Sequence, residues 1–300
     1  PALGAWEVMN ELDGVSGVEV EVSAAWAVTQ TEMIRDLEGG LHPVSFSYGL
    51  PPQAMGGQVW EGADFTQIHS YLLSDVKPVT EGVAASLDEH FGPVLVGEWG
   101  LDWFGNGDRE DTAGLAWHNA NWAALASGSA GNALSWWWDD HIEPHDLWWR
   151  LEGLAAVVEG LDLAAMAPVT ATVSDDDLEA FARSDGDVTL VWVHVTDHTV
   201  PDPGDGVVTG ATLLLDGAPV GVVFHDTELG SSLGAASVAC DGEIHLPEIH
   251  GDLALLLESD GFSCDEPPRP CGCAVQGGGA GAGSALLLGM LGLSRRRRRE

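Results

Sequence analysis

Two glutamates, Glu11 and Glu98, each stand at the end of a short apolar run that is typical of a buried β-strand. The first run is residues 5–12 and the second is residues 93–96, after which Gly97 lets the backbone turn as the acid emerges. Parallel strands of a barrel present their C-terminal ends at one face, so we expect both carboxyl groups at that face. Two carboxyl groups that face each other can divide the roles of acid and nucleophile between them.

The same region contains four motifs whose order and spacing resemble a known family. They are Trp6-Glu7-x-x-Asn10-Glu11, His69-x-Tyr71, Gly97-Glu98-Trp99-Gly100 and Trp136-Trp137-Trp138. Together they resemble the second half of the (β/α)8 barrel of retaining glycoside hydrolases, close to family 5 and its cellulase-like relatives. In that family such motifs end strands four, six, seven and eight. The resemblance covers roughly residues 5–163, and it implies an α/β fold with a partial (β/α)8 TIM barrel, strands four to eight.

The resemblance also implies a role for each motif residue. Glu11 would be the general acid and base, and Glu98 the nucleophile, in hydrolysis of a β-linked polysaccharide or oligosaccharide. Glu11 must then keep its proton near neutral pH through burial and the nearby negative charge, while hydrogen bonds keep Glu98 ionised. Tyr71 would donate a hydrogen bond to Glu98. Asn10 would bind the sugar 2-hydroxyl beside it, and His69 would line the same pocket.

A retaining enzyme should hold its two carboxyl groups about 5 to 5.5 Å apart, whereas a separation near 8 Å would indicate inversion. Flat indole faces suit sugar rings, and we predict Trp60 and Trp137 as substrate-binding residues. Residues 136–138 span both faces of a strand, so at least one of these three indoles must point outward.

Simpler interpretations exist for the same residues. The chain has 47 acidic residues, so Glu11 and Glu98 could be solvated loop carboxylates. His69 and Tyr71 could pack in the core.

His141 and His145, with three aspartates close by in the sequence, are residue types that can bind a metal ion. Pro144 lies between the two histidines and prevents the regular helix that would align both imidazoles on one metal ion. We therefore interpret this segment as the loop after strand eight, bordering the cleft. The sequence predicts no metal and no organic cofactor.

Strands and helices alternate through residues 1–165, as a parallel α/β sheet requires. The segment after Glu11 is predicted as a loop up to Thr31. Predicted helices are 32–37, 79–90, 112–127 and 147–161, and predicted strands are 5–12, 42–49, 63–72, 93–96 and 133–138. Because the first run already matches strand four of the family, we expect strands one to three to be missing, from a fragment or a late gene start.

Residues 166–262 have a different pattern, in which short alternating runs are separated by Asp and Gly turns. This pattern predicts a small antiparallel β-sandwich as an accessory domain. The predicted strands are 169–173, 188–194, 211–215, 219–224 and 253–257.

Residues 263–300 are predicted as a linker and a sorting tail. Cys271-Gly272-Cys273 precedes the charge-free stretch 274–293, which is long enough to cross a bilayer and is followed by five arginines. This order resembles the myxobacterial C-terminal sorting tag, which implies export, cell-surface anchoring, and contact with the membrane and sorting machinery. A disordered glycine-rich end is the alternative. Cys240 and Cys264 are candidates for a disulfide, although connectivity cannot be deduced from sequence.

The formal net charge is −36, so the surface would repel nucleic acid, whose binding depends on Lys and Arg. Neutral sugar polymers are unaffected. Two other functions remain open from the sequence: a non-catalytic surface protein that binds carbohydrate, and an adhesin in which the sandwich makes the contact.

Overall fold

Short parallel strands make up the first part of the fold. The computed structural model describes residues 3–50, 60–71, 74–89, 92–201, 203–204, 206–215, 221–236 and 243–258. The parallel strands are β1 (Trp6–Glu7), β2 (Val44–Ser45), β3 (Ser47–Tyr48), β4 (Thr66–Ser70) and β5 (Val94–Trp99). Segment 44–48 pairs with β1 through β2 and with β4 through β3, and β5 lies on the other side of β4. The strands therefore lie side by side in chain order.

Two of the predicted strands differ from expectation. Residues 133–138 make only a single parallel bridge, from Ser135 to Trp99, because a π-helical turn begins at Trp138. The predicted run 5–12 shortens to β1 and is exposed rather than buried, with Trp6 at 40% exposure. Among the described residues β1 has a neighbour on one side only, which leaves its other edge open to solvent.

The loop predicted up to Thr31 is wrong from Val20 onward, because these residues and the predicted helix 32–37 together form the long helix α1 (Val20–Glu38). This helix ends at Gly39, whose φ of 68° suits a glycine cap and whose N–H bonds the carbonyl of Arg35. Its buried face consists of small residues, including Ala24 and Ala27, so the usual apolar periodicity is absent from the sequence.

The remaining helices confirm three predicted ones with shifted ends and add α3, which was not predicted. They are α2 (Lys77–Glu89), α3 (Asn106–Glu110), α4 (Leu115–Ala126) and α5 (Glu152–Val158), the last preceded by a 3-10 turn at Leu147–Leu151. Residues 116–126 of α4 are buried throughout, because the helix packs against α2 on one side and against antiparallel strands on another.

Antiparallel strands make up the second part of the fold. They are β6 (Ala167–Val169), β7 (Ala171–Val173), β8 (Leu178–Ser184), β9 (Val188–Val195), β10 (Val207–Val208), β11 (Thr212–Leu215), β12 (Gly221–His225), β13 (Ser232–Ala236), β14 (Ile244–His245), β15 (Ile249–His250) and β16 (Asp252–Glu258). One sheet runs β10-β15-β16-β9-β8-β6, with β12 and β13 attached at β16, and the other runs β14-β11-β7. Both sheets contribute to one apolar core that includes Val193, Leu213 and Leu255.

The chain is thus a mixed α/β protein with several sheets, and Pro1–Phe262 form one compact unit. A second core cluster joins the helices to the antiparallel strands, since it contains Trp99 and Trp122 together with Trp192 of β9. No helix among the described residues is long and apolar enough to span a bilayer. The predicted tail, with Cys271, Cys273 and residues 274–299, lies outside the described residues, as do Cys240 and Cys264.

Candidate active site

Glu11 follows β1 in an unusual backbone conformation. Its φ and ψ are 49° and 63°, in the left-handed region that residues other than glycine seldom adopt. The Glu11 N–H donates to the hydroxyl of Ser47 at 3.0 Å, and that hydroxyl donates to the Glu7 carboxylate at 2.7 Å. The two neighbouring strands thereby fix the backbone from which the Glu11 side chain projects.

Glu98 is directed by a β-bulge in β5. Ile68 of β4 is opposite Val96 and His69 is opposite Glu98, so Gly97 is the extra residue. Regular alternation would place Glu98 on the same face as Val94 and Val96, which lie in the apolar core. The bulge instead turns Glu98 towards the face of His69. A side chain at position 97 would overlap Gln67, so glycine is required there.

His69 lies between the two acids. Its Nδ1 atom is 2.9 Å from Glu11 Oε1 and 3.4 Å from Glu98 Oε2. One oxygen from each carboxylate and this nitrogen all lie within 4.8 Å of one another. The structure therefore brings both predicted catalytic glutamates together, with closest oxygens far nearer than the roughly 6.5–9.5 Å of an inverting pair.

Burial and the contact with Tyr71 have opposite effects on the pKa of the Glu98 carboxyl group. Burial raises the pKa of Glu98, while the hydrogen bond that Tyr71 donates at 2.6 Å and the charge of His69 lower it; the net shift is upward. The Tyr71 contact was expected, but a raised pKa of Glu98 was not. Burial and the bond to Glu98 also raise the pKa of Tyr71, so the phenol remains the donor.

A cleft of about 300 Å³ opens beside these groups, lined by Asn10, both glutamates and Tyr71. The exposed indoles of Trp103 and Trp136 also line this cleft. The His69 side chain is only 1% exposed and contacts the acids from the protein side rather than from the cleft.

Neither of the two predicted indole platforms lines this cleft. Trp60 is 5% exposed and stacks on Phe46 with ring centroids 6.0 Å apart, so its faces are unavailable to a sugar. The indole N–H of Trp137 donates to the Asp102 carbonyl at 3.1 Å, and the Arg109 guanidinium lies 5.1 Å from its ring centre.

Trp136 and Trp103 are the residues that sequence reasoning did not select. Neighbouring side chains of an extended segment point to opposite faces, so the choice of Trp137 excluded Trp136. Which of the two indoles faces the cleft depends on where the strand ends. The strand here consists of a single bridge, from Ser135 to Trp99, so the sequence gives little indication of that point.

The second histidine group does not form a metal cluster in the described residues. His141 Nε2 is 2.8 Å from the Asp111 carbonyl, and His145 Nδ1 is 2.9 Å from the His141 carbonyl. Both rings are thus engaged by backbone oxygens. Within the described part of the chain, the one group of three close metal-ligand types is Glu11, His69 and Glu98.

No sequence profile of a protein family and no curated protein matches this chain. Several solved structures are similar in fold. A family GH30 endoxylanase from Clostridium papyrosolvens C71 aligns with a TM-score of 0.54 and 13% identity, over 86% of this chain and 66% of that one. A family 44 xyloglucanase from Paenibacillus polymyxa aligns with a TM-score of 0.52 and 10% identity, over 85% and 66%. The chain thus spans just under two thirds of each neighbour, and its fold is similar to that of glycoside hydrolases.

Proposed function

We propose that this protein is a retaining glycoside hydrolase that cleaves a β-linked polysaccharide or oligosaccharide by a two-glutamate double displacement. The observation that carries the proposal is the convergence of Glu11 and Glu98 on His69, with carboxylate oxygens within 4.8 Å of each other at the edge of a cleft. The two structural neighbours, described as an endoxylanase and a xyloglucanase, support a β-linked substrate.

In the first step, Glu98 attacks the anomeric carbon while Glu11 gives its proton to the departing oxygen. The bond from Tyr71 holds one oxygen of Glu98 in place and orients the carboxylate for this attack. In the second step, Glu11 takes a proton from water, and the water oxygen displaces Glu98 from the sugar. Trp136 and Trp103 supply flat apolar faces at the rim of the cleft, and Asn10 binds a sugar hydroxyl.

The finer architecture is also a proposal. The parallel strands of residues 1–165 fit strands four to eight of a (β/α)8 barrel of the family 5 type, and residues 166–262 fit a β-sandwich domain. Residues 263–300 fit a sorting tail that directs export and contacts the membrane. The identity of the sugar is not part of the proposal.

The test is hydrolysis of an activated aryl β-glycoside by the full chain and by Glu98→Ala. We expect the wild type to release the aryl group and the variant to be inactive. Azide should restore turnover in the variant and give a glycosyl azide of inverted configuration, because it enters where the carboxylate attacked. Glu248→Ala is the matched control, since it removes an exposed glutamate whose carboxylate pairs with His250.

Glu11→Ala distinguishes the two roles. An aryl group that leaves readily needs little acid assistance, so the first step should survive while the second slows, which gives a burst of aryl release. Wild-type turnover in Glu98→Ala would remove Glu98 from the mechanism. Glycan binding by the wild type without any turnover would instead favour the non-catalytic carbohydrate-binding protein.

A further inference from the structure

The same three side chains have the chemistry of a metal site. An imidazole nitrogen and two carboxylate oxygens are ligands that Zn²⁺ and related transition-metal ions accept. His69 Nδ1 is 2.9 Å from Glu11 Oε1 and 3.4 Å from Glu98 Oε2. Ligand atoms about 2.0–2.2 Å from a tetrahedral ion lie roughly 3.3–3.5 Å from one another. The His69–Glu98 pair, at 3.4 Å, has this spacing, and the His69–Glu11 pair, at 2.9 Å, must open by a few tenths of an ångström.

The exposure of the three side chains is also compatible with metal binding. The side chains of His69 and Glu98 are 1% and 11% exposed, and therefore form a fixed pair of ligands. The Glu11 side chain is 42% exposed and can shift to bring its oxygen closer to Glu98. The fourth position of a tetrahedral ion would face the cleft, where water can complete the coordination.

Charge and ligand softness narrow the choice of ion. A formal net charge of −36 concentrates cations near the surface. Calcium and magnesium prefer oxygen ligands, and magnesium demands near-ideal octahedral geometry, so a site with one nitrogen and two carboxylates favours a transition-metal ion over both.

We propose that Glu11, His69 and Glu98 form a binding site for a divalent transition-metal ion, with Zn²⁺ as the matching ion. The bound ion takes the carboxylate electron pairs that would attack the sugar and accept a proton, and it thereby blocks hydrolysis. The blocking effect rests on the proposed function, whereas binding of the ion does not.

The test is calorimetric titration of Zn²⁺ into the metal-free full chain, with its cysteines alkylated so that thiolates cannot compete. We expect one ion per chain. Glu11→Gln keeps the size of the side chain but removes a ligand. Loss of a residue that only supports a ligand lowers metal affinity by roughly 10–100-fold, so this variant should lower the affinity for Zn²⁺ by more than that. Ca²⁺ and Mg²⁺ should not compete for the site.

His250→Ala is the matched control, because it removes another imidazole that is 2.8 Å from a carboxylate but has no third metal-ligating side chain close by among the described residues. Its Zn²⁺ affinity should equal that of the wild type. Failure of Zn²⁺ to bind, or equal binding by Glu11→Gln, would overturn the site.

The inhibition assay separates this inference from the proposed function. If the wild type hydrolyses the aryl glycoside, Zn²⁺ should inhibit it in competition with substrate, at the concentration at which it binds. Binding without inhibition in an active enzyme would place the ion elsewhere and overturn the proposal. Binding lost in Glu11→Gln in a protein with no hydrolytic activity would keep the metal site and reject the hydrolase.

Discussion

At the scale of single residues, the site depends on contacts that fix two acids of different exposure. Glu98 is held by Tyr71 and largely buried, whereas Glu11 is more open and rests against Gly49 and His69. The proposed nucleophile, Glu98, is thus the more rigid of the two, and the proposed proton donor, Glu11, retains the freedom that this role requires.

Gly49→Ala should lower activity without unfolding the protein. A Cβ atom there would lie 3.0 Å from Glu11 Cδ and Oε1, so the carboxylate must move. This shift is smaller than the misplacement of about 1 Å that can cost about 10²-fold in rate, and we expect kcat/KM for an aryl glycoside to fall by up to roughly 10-fold. Gly14→Ala is the control, since a Cβ there meets nothing within 4 Å. Equal kcat/KM in both variants would contradict the role of Gly49.

Tyr71→Phe should move the acid limb of the pH profile upward. The nucleophile must be ionised, and burial already raises the pKa of Glu98, so the acid limb of kcat/KM should lie above the ordinary glutamate value. The bond from Tyr71 lowers that pKa, and its removal should raise the pKa further. The measurement is kcat/KM against pH for both proteins. An unchanged or lower acid limb in Tyr71→Phe would show that Glu98 does not control it.

At the scale of elements, the sequence located the strand ends better than the helices. Glu11 and Glu98 were selected because each follows an apolar run. Such a run can be recognised in the sequence even where the strand is as short as β1. Only residues 32–37 of α1 were predicted as helical. The rest was missed because its buried face is made of Ala24, Ala27 and similar small residues, while Trp26 on its surface is apolar. Periodicity needs a contrast between faces, and α1 has little.

Arg183→Met should destabilise the protein strongly. Arg183 of β8 is 3% exposed and donates to four backbone carbonyls, those of Leu125 and Ser129 at the end of α4 and those of Leu163 and Met166. Methionine fills the space but donates no hydrogen bond. The carbonyls of Leu125 and Leu163 keep a backbone donor, from Gly128 and Met166, whereas those of Ser129 and Met166 lose the Arg183 bond at about 1–3 kcal/mol each where water cannot reach them. We expect a loss of at least about 3 kcal/mol in the free energy of unfolding from urea denaturation.

The control for this variant is Arg35→Met. Arg35 pairs with Asp64 near the surface, where both side chains are about a third exposed, and a surface pair contributes about 1 kcal/mol or less. Similar urea midpoints for the two variants would contradict a special role of Arg183 in joining β8 to α4.

At the scale of the whole molecule, helices and antiparallel strands share a buried polar junction. The Asp252 carboxylate of β16 contacts His118 of α4 at 2.9 Å and accepts hydrogen bonds from Trp192 and Thr227. Burial alone would raise the pKa of Asp252, but the charge of His118 and these three bonds lower it to about 2. The junction joins residues that are distant in sequence, and no local pattern announces it.

Asp252→Asn should therefore lower stability in a way that depends on pH. A carboxyl group with a lowered pKa in the fold stabilises above its unfolded pKa of about 3.9, and the effect is lost as the pH falls towards 2. We expect a loss of about 3–5 kcal/mol at pH 7, as for a broken buried pair, and a smaller difference from wild type near pH 2. Denaturation at both pH values measures this. A difference that does not shrink in acid would reject the ionised pair.

How much could be predicted from the sequence also differs between single residues, strand ends and domains. The motifs selected Glu11, Glu98, Asn10, His69 and Tyr71, which the structure brings to one place, because chemistry restricts residue type at strand ends. They did not select Trp136, the indole that lines the cleft, since that choice depends on where a strand stops. The domain boundaries at 165 and 262 and the tail remain predictions.

The extra residue in β5 has a consequence for engineering. A designer who regularised this sheet, so that its side chains alternated without interruption, would obtain a straighter strand and would direct the Glu98 carboxylate into the helix layer. Improving the scaffold by the usual rules would therefore remove the proposed chemistry, because the irregularity at Gly97 is what turns Glu98 towards His69 and the cleft.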